Sequence, residues 1–270
     1  MGKIEALMNR LELFPGMLYF WFIWIGGIAA SLSLFFVDAS AYLWYGLAVY
    51  VFGTLFGTCI GIHRWASHKT FEVNRFWRYV FMVAANLNAQ CTVWAWAVGH
   101  VEYHHRYSDT DEDFQSPVNN WLSAWFGPSR RGIPDDVIKP SRKIKIKYRH
   151  LWQDPVIYWL ANNPKAFFWS IMLVMALIDW KIAVYCWILP AFGVQQYGAI
   201  ITFFGHKRIP GSYQRFDTGD NSMNNHLLAL LTYGDMFHNN HHARWRAPTT
   251  KVAWHEFDLA GLIVDLIRKK

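Results

Sequence analysis

The chain has 270 residues, 53% of them hydrophobic and 18% aromatic, with 16 Trp and a formal net charge of +7. Its mean hydropathy is nevertheless only +0.07, so a chain more apolar than an average soluble domain also carries a large polar part. This excludes a disordered protein and a bundle that is membrane from end to end, and leaves apolar spans joined to a sizeable water-facing region.

The first apolar run, at 14–36, is uncharged over 23 residues, enough for a helix to cross about 30 Å of hydrocarbon. It is too long for the apolar region of a signal peptide. Asp38 and a short Ala/Ser link lead to a second uncharged run at 42–62, and the pair predicts a helical hairpin. His63 and His68 follow directly, in His63-Arg-Trp-Ala-Ser-His68. Five residues are about 140° around an α-helix, so these two meet at one site only if the helix ends between them or the site is wide.

Residues 76–98 are apolar but interrupted by Arg78, Asn86, Asn88 and Gln90, which predicts a buried or interfacial amphipathic helix rather than a span. The next cluster is His100-Val-Glu-Tyr-His104-His105. A spacing of four puts His100 and His104 on one helix face, while His104 and His105 point about 100° apart, toward two adjacent metals. The Pro/Gly-rich stretch 127–140 reads as a surface loop, and the basic run at 141–150 as a solvated face or a contact for lipid phosphates or an acidic acyl carrier. Residues 157–178 and 182–204 predict a second hairpin turning at Asp179-Trp180-Lys181. In the last cluster, His238-Asn-Asn-His241-His242, spacings of three and four share a helix face.

With four spans, both termini and the segment 63–156 lie on one side, and only Lys181 of the 26 Lys and Arg falls in a hairpin turn. The positive-inside rule makes that side cytosolic. The predicted fold is an all-α, multi-pass integral membrane protein: four transmembrane helices as two hairpins beneath a cytosolic helical cap, in one domain over 1–270. The positive charge then marks the face toward lipid and partners, with no role in binding nucleic acid. Cys59, Cys91 and Cys186 form no CxxC pair and no disulfide framework.

Eight of the 12 His fall in the three clusters, all on the same predicted side. Neutral imidazole suits iron, copper, zinc or nickel, and eight exceed the four that a tetrahedral zinc takes, so two metals are expected. Carboxylates should orient such imidazoles; the candidates are Glu102, Asp109, Asp111, Asp113 and Asp235. Trp65, Trp94, Trp96 and Trp245 are candidates for lining an apolar substrate tunnel, with core or interfacial packing as the plain alternative. Arg106, Lys207 and Arg208 are candidates for a carrier phosphate. His150, His226 and His255 read as core residues outside the site.

The ordered patterns HRWASH, HVEYHHRYSDTDED and GDMFHNNHH, with EFD at 256–258, resemble the three histidine boxes of the membrane fatty-acid desaturases. They are most similar to the acyl-CoA and acyl-lipid delta-9 branch, the stearoyl-CoA desaturase type, over roughly residues 42–258. The resemblance implies a non-haem di-iron centre held by His63, His68, His100, His104, His105, His206, His238, His241 and His242, with His206 the one beyond the boxes. It also implies O2-dependent formation of a cis double bond in a saturated fatty acyl chain carried on CoA, ACP or lipid. Three features depart from the family pattern, one being Asp113-Phe114-Gln115 in place of its Asp-Pro-His after the second box. Thr202 stands where the family has an Asn holding a metal-bound water, and the second box has three residues after its leading His instead of two.

Longer gaps in that box occur among membrane alkane hydroxylases, so a di-iron hydroxylase of a lipid or alkane is the alternative. A membrane haem or metal-binding protein without oxygenase activity is the second. Neither a His-Pro-Gly-Gly motif nor a GxGxxG loop occurs, so an external electron donor of cytochrome b5 or ferredoxin type is expected.

Overall fold

A computed structural model describes residues 15–87, 91–118, 121–126 and 133–269. Residue 14, Asn88, Gln90 and positions 127–132 of the expected surface loop lie outside them. The chain is mostly helical. The described residues open with α1 (Pro15–Ser33), a short link, and α2 (Ser40–Ser67).

Helix α2 changes character at Phe52, continuing to Ser67 as π-helical turns. Two hydroxyls follow that register: Thr58 donates to Gly53 O at 3.3 Å and Ser67 to Ile62 O at 2.6 Å, both five residues back. The next helix, α3 (Arg75–Ala85), lies directly on this segment. A Cβ at Gly57 would stand 2.5 Å from Ala84 O and one at Gly61 2.9 Å from Phe81 Cβ, so only glycine permits the approach.

The amphipathic helix expected over 76–98 is interrupted. Helix α3 ends at Ala85, where the buried Asn86 amide donates to Met82 O and Leu160 O. Helix α4 (93–107) starts afresh, with the Thr92 hydroxyl accepting from Ala95 N, and passes through a second π-helical turn at Gly99–His104. Short helices follow: α5 (Trp121–Phe126), α6 (Asp135–Ile138) and α7 (Arg142–Lys147), the last capped by Ser141.

The span expected at 157–178 is likewise two helices, α8 (Pro155–Asn162) and α9 (Pro164–Ile178). Pro164 has no N–H to continue the ladder and pushes the preceding residue out of the helical region; Asn163 sits at φ −124, ψ 46. Helix α10 (Trp180–Phe204) completes the apolar set. By length and composition α2 and α10 can cross a membrane, and α9 is a shorter apolar helix. At 1.5 Å per residue the 15 residues of α9 reach about 22 Å.

Helix α1 packs on α10, and a Cβ at Gly27 would lie 2.3 Å from Phe192. The two turns also meet, Tyr42 OH donating to Asp179 at 2.6 Å. Beyond α10 come an antiparallel pair, β1 (Ser212–Tyr213) with β2 (Asn224–Asn225), which departs from the all-α expectation, then α11 (His226–Leu231), α12 (His238–Ala243) and α13 (Leu259–Ile267). The largest core joins the π-helical half of α2 to α3, α4, α8 and α13 through residues such as Ile60, Phe81, Val98, Ile157 and Val264. It stands beside the first two histidine clusters.

Candidate metal centre

In a π-helix the backbone bonds run between residues five apart, so residues at i and i+5 stack as i and i+4 do in an α-helix. His68 N–H accordingly donates to His63 O at 3.1 Å. On α4, His105 N–H donates to His100 O, and the two Nε2 atoms are 3.1 Å apart. The α-helical pairing of His100 with His104 expected from spacing is therefore replaced by His100 with His105, and His104 turns the other way. On α12, His238 and His242 pair at 3.1 Å, while His241 faces away from them.

All nine histidines come together, in two groups. The first is His63, His68, His100, His105 and His241; the second is His104, His206, His238 and His242, with ligand atoms within 4.8 Å of one another. The His206 Nε2 lies 3.1 Å from that of His238. In the first group the Nε2 atoms of His63 and His241, His241 and His105, and His68 and His100 are 2.9, 2.9 and 3.0 Å apart. Burial, with the neighbouring imidazoles, holds His100, His105, His238 and His241 well below the ordinary histidine value, so they are neutral near pH 7.

Carboxylates take the outer nitrogens. Asp113 accepts from His104 Nδ1 at 2.9 Å, Asp109 from His206 Nδ1 at 2.9 Å and Asp220 from His242 Nδ1 at 2.6 Å. Asp235 lies 3.5 Å from His63 Nδ1. Burial works against the charge on Asp109 and Asp113, but His206 and His104 outweigh it and hold both below the usual carboxylate range. A neutral imidazole that donates through Nδ1 presents a lone pair at Nε2. The lone pairs of His206 and His242 both face His238 Nε2 at 3.1 Å, and one neutral ring can donate to only one of them. A cation relieves this conflict. Separations near 3 Å are those of neighbouring ligands around a metal with bonds of about 2.1 Å, so the residues fit a metal pair.

A buried ion network fixes the frame. Arg64, inside the first box, reaches Asp235 and Asp258 at 3.0 Å each and Pro248 O at 3.0 Å. It thus joins α2 to the residues before α12 and to the EFD segment. Asn240 donates to Glu256 at 3.0 Å, and Asn239 accepts from Arg215 N and Phe216 N at 2.8 and 2.9 Å.

The other candidates sit elsewhere. Glu102 binds Tyr148 OH at 2.9 Å and Lys147 and touches no cluster histidine. Asp111 is exposed, and Thr202 is half-buried on α10 with no hydrogen bond to the cluster among the described residues. Trp96 stacks on His100 at 4.6 Å, and Trp245 lies 5.7 Å from His68. Trp65 packs instead against His150 and Phe81, and Trp94 near Trp152. Arg106 and Arg208 are exposed and Lys207 half-buried. His150 is half-buried and bonded to Ala66 O at 3.0 Å, whereas His226 and His255, expected in the core, are exposed, ring to ring at 5.3 Å. Asp220 was not among the candidates. Its Gly/Ser/Asn neighbourhood, 22 residues before His242, reads in sequence as turn chemistry alone.

Residues 40–261 match the family model described as fatty acid desaturase. The chain is 28% identical over 261 residues to the acyl-CoA 5-desaturase AL21 of Anemone leveillei, covering 92% of this chain and 76% of that protein. It is 26% identical to the sn-1 stearoyl-lipid 9-desaturase of Synechocystis sp. over 81% of this chain and 66% of the relative. With the sn-2 palmitoyl-lipid 9-desaturase of Nostoc sp. it shares 28% identity over 88% of this chain and 82% of the relative. A family match spanning both histidine groups and the network around them identifies the chain as a member of the fatty acid desaturase family and a fatty acyl desaturase.

Proposed function

We propose that this chain inserts a cis double bond at the delta-9 position of a saturated fatty acyl chain, using O2 and two irons held by the nine histidines. The observation that carries this reading is the pair of imidazole groups, five and four, whose Nε2 atoms converge. An unactivated methylene C–H is beyond the reach of any side-chain acid or base, and the iron pair supplies the oxidising power. The protein supplies position. Asp109, Asp113 and Asp220 hold three imidazoles in the ligating tautomer. Trp96 and Trp245 lay apolar rings against His100 and His68 of the five-histidine group.

The acyl chain arrives on CoA, ACP or a lipid, and electrons come from a separate ferredoxin-type or cytochrome b5-type donor. We place α1, α2, α9 and α10 in the bilayer as two hairpins, with the histidines and both termini on the cytosolic side. Exposed Phe35, Phe36, Trp44, Leu177 and Ile178 near the turns support lipid contact there. The π-helical turn absorbs the additional residue of the second box and keeps its imidazoles paired, which supports a working metal pair.

Fatty-acid profiling of a host expressing the chain, beside His104→Ala, tests the proposal. A cis-9 monounsaturated product that disappears in the variant is expected; a hydroxylated chain in its place overturns it.

A further inference from the structure

The loop 217–222 holds no histidine, yet it reaches the four-histidine group twice. Asp220 Oδ2 accepts from His242 Nδ1 at 2.6 Å. Asn221 donates to Asp109 Oδ2 from its backbone N–H at 2.8 Å and from its side chain at 3.2 Å, and that same oxygen accepts from His206 Nδ1. The loop is tied to α12 as well, since the Asn239 amide donates to Thr218 Oγ1 at 3.3 Å and to Ser222 Oγ at 3.2 Å.

The orientation of the Asp220 carboxyl is set from behind. Its Oδ1 accepts from Thr218 Oγ1 at 2.6 Å and from the Ser222 backbone N–H at 3.0 Å. The backbone donor cannot become an acceptor, so only an oxygen is tolerated at that position. The other oxygen then faces His242, demands the proton on Nδ1 and leaves the Nε2 lone pair directed at the group. His242 Nε2 is 3.1 Å from His238 Nε2.

We propose that Asp220, held by its own loop, is a positioning residue that locks His242 in the tautomer able to bind metal. The loop 217–222 thereby acts as a clasp on the four-histidine position. This rests on the iron reading above. The chemistry makes an unusual demand on the variants. In Asp220→Asn the carbonyl oxygen stays with Thr218 and Ser222, so the amide NH2 faces His242, which must then accept at Nδ1 and carry its proton on Nε2. In Asp220→Ala the ring is merely released. Asparagine, the closer mimic in shape, is therefore the more damaging substitution.

The test uses the full-length, iron-loaded chain in detergent, titrated with a competing chelator while iron per chain and the Mössbauer spectrum are followed. The unaltered chain is expected to hold two irons. Asp220→Asn is expected to lose one of them at about 10- to 100-fold lower chelator, with loss of one spectral component, and Asp220→Ala to lose it less readily. Asp265→Asn, whose carboxylate pairs with Arg268 at the far end of α13, should retain both. Equal retention by Asp220→Asn and the unaltered chain overturns the proposal, as does an alanine variant that is worse than asparagine. Imidazole 15N shifts of His242 in the metal-free chains read the tautomer directly. Nδ1–H in the unaltered chain and Nε2–H in Asp220→Asn are expected, and the same tautomer in both overturns the clasp whatever the metal. An unaltered chain that binds no iron, with the tautomer switch intact, overturns the iron reading instead.

Discussion

His100 and His105 stand five residues apart on one π-helical turn, with the His105 N–H bonded to His100 O and their Nε2 atoms 3.1 Å apart. On an α-helix they would point about 140° apart. The turn thus converts a box with one residue too many into a working pair, and it sends His104 to the second group. Deleting Val101 reduces the spacing from five to four, so an α-helical turn keeps the pair together. Iron bound per chain is expected to stay near two. Inserting an alanine after Val101 makes the spacing six, which neither helix accommodates, and iron should fall to about one per chain.

Asp113 and Glu102 flank the same box but touch different things. Asp113 holds His104 Nδ1, whereas Glu102 is bound to Tyr148 and Lys147. Asp113→Asn is expected to weaken metal retention about 10- to 100-fold, while Glu102→Gln leaves it unchanged within about twofold. Chelator competition on the two variants decides this, and equal retention would argue that the carboxylate does not orient the ring.

Arg64 is buried between two buried carboxylates, Asp235 and Asp258. Removing the cation strands both charges, and breaking such a buried pair costs about 3–5 kcal/mol. Arg64→Met should therefore lower the unfolding midpoint in detergent steeply. Arg64→Met combined with Asp258→Asn should recover part of the loss, because one stranded charge is gone.

Glu256 anchors the third box through Asn240 and binds Arg215 and Tyr213. Burial opposes its charge, but the Ala253 and Val252 N–H groups, Arg215 and Asn240 outweigh it and bring the carboxyl down to about 2 from 4.5. Its folded value is below its unfolded one, so its contribution to stability is complete above about pH 4.5 and is lost as pH falls toward 2. Denaturant unfolding of the metal-free chain over that window should show stability falling with pH, with a shallower slope in Glu256→Gln. An unchanged slope would remove Glu256 from the account.

His206 and His226 both lie in sequence between α10 and the third box, and they separate by environment. His206 is 1% exposed and faces His238, whereas His226 is exposed and stacks on Tyr213. His206→Ala should take one iron from the chain and His226→Ala none, as counted by metal analysis of the purified variants.

Residue type and the lengths of apolar runs are local properties, and they alone determined where the long helices and three histidine boxes fall along the chain. The resemblance carried by those boxes pointed to His206. The break at Asn163-Pro164 is equally local, although the apolar residues on both sides conceal it. What only the tertiary structure decided is which histidines share a group and what stands behind them. The π-helical register that joins His63 with His68 accompanies the close packing of α3 on Gly57 and Gly61, a contact between helices that spacing along one chain does not contain. Asp220 reaches His242 across 22 positions of chain that include β2 and α11. The angular register of a ligand and the proton on its far nitrogen are set by such neighbours in space, and so they appear only once the chain is folded.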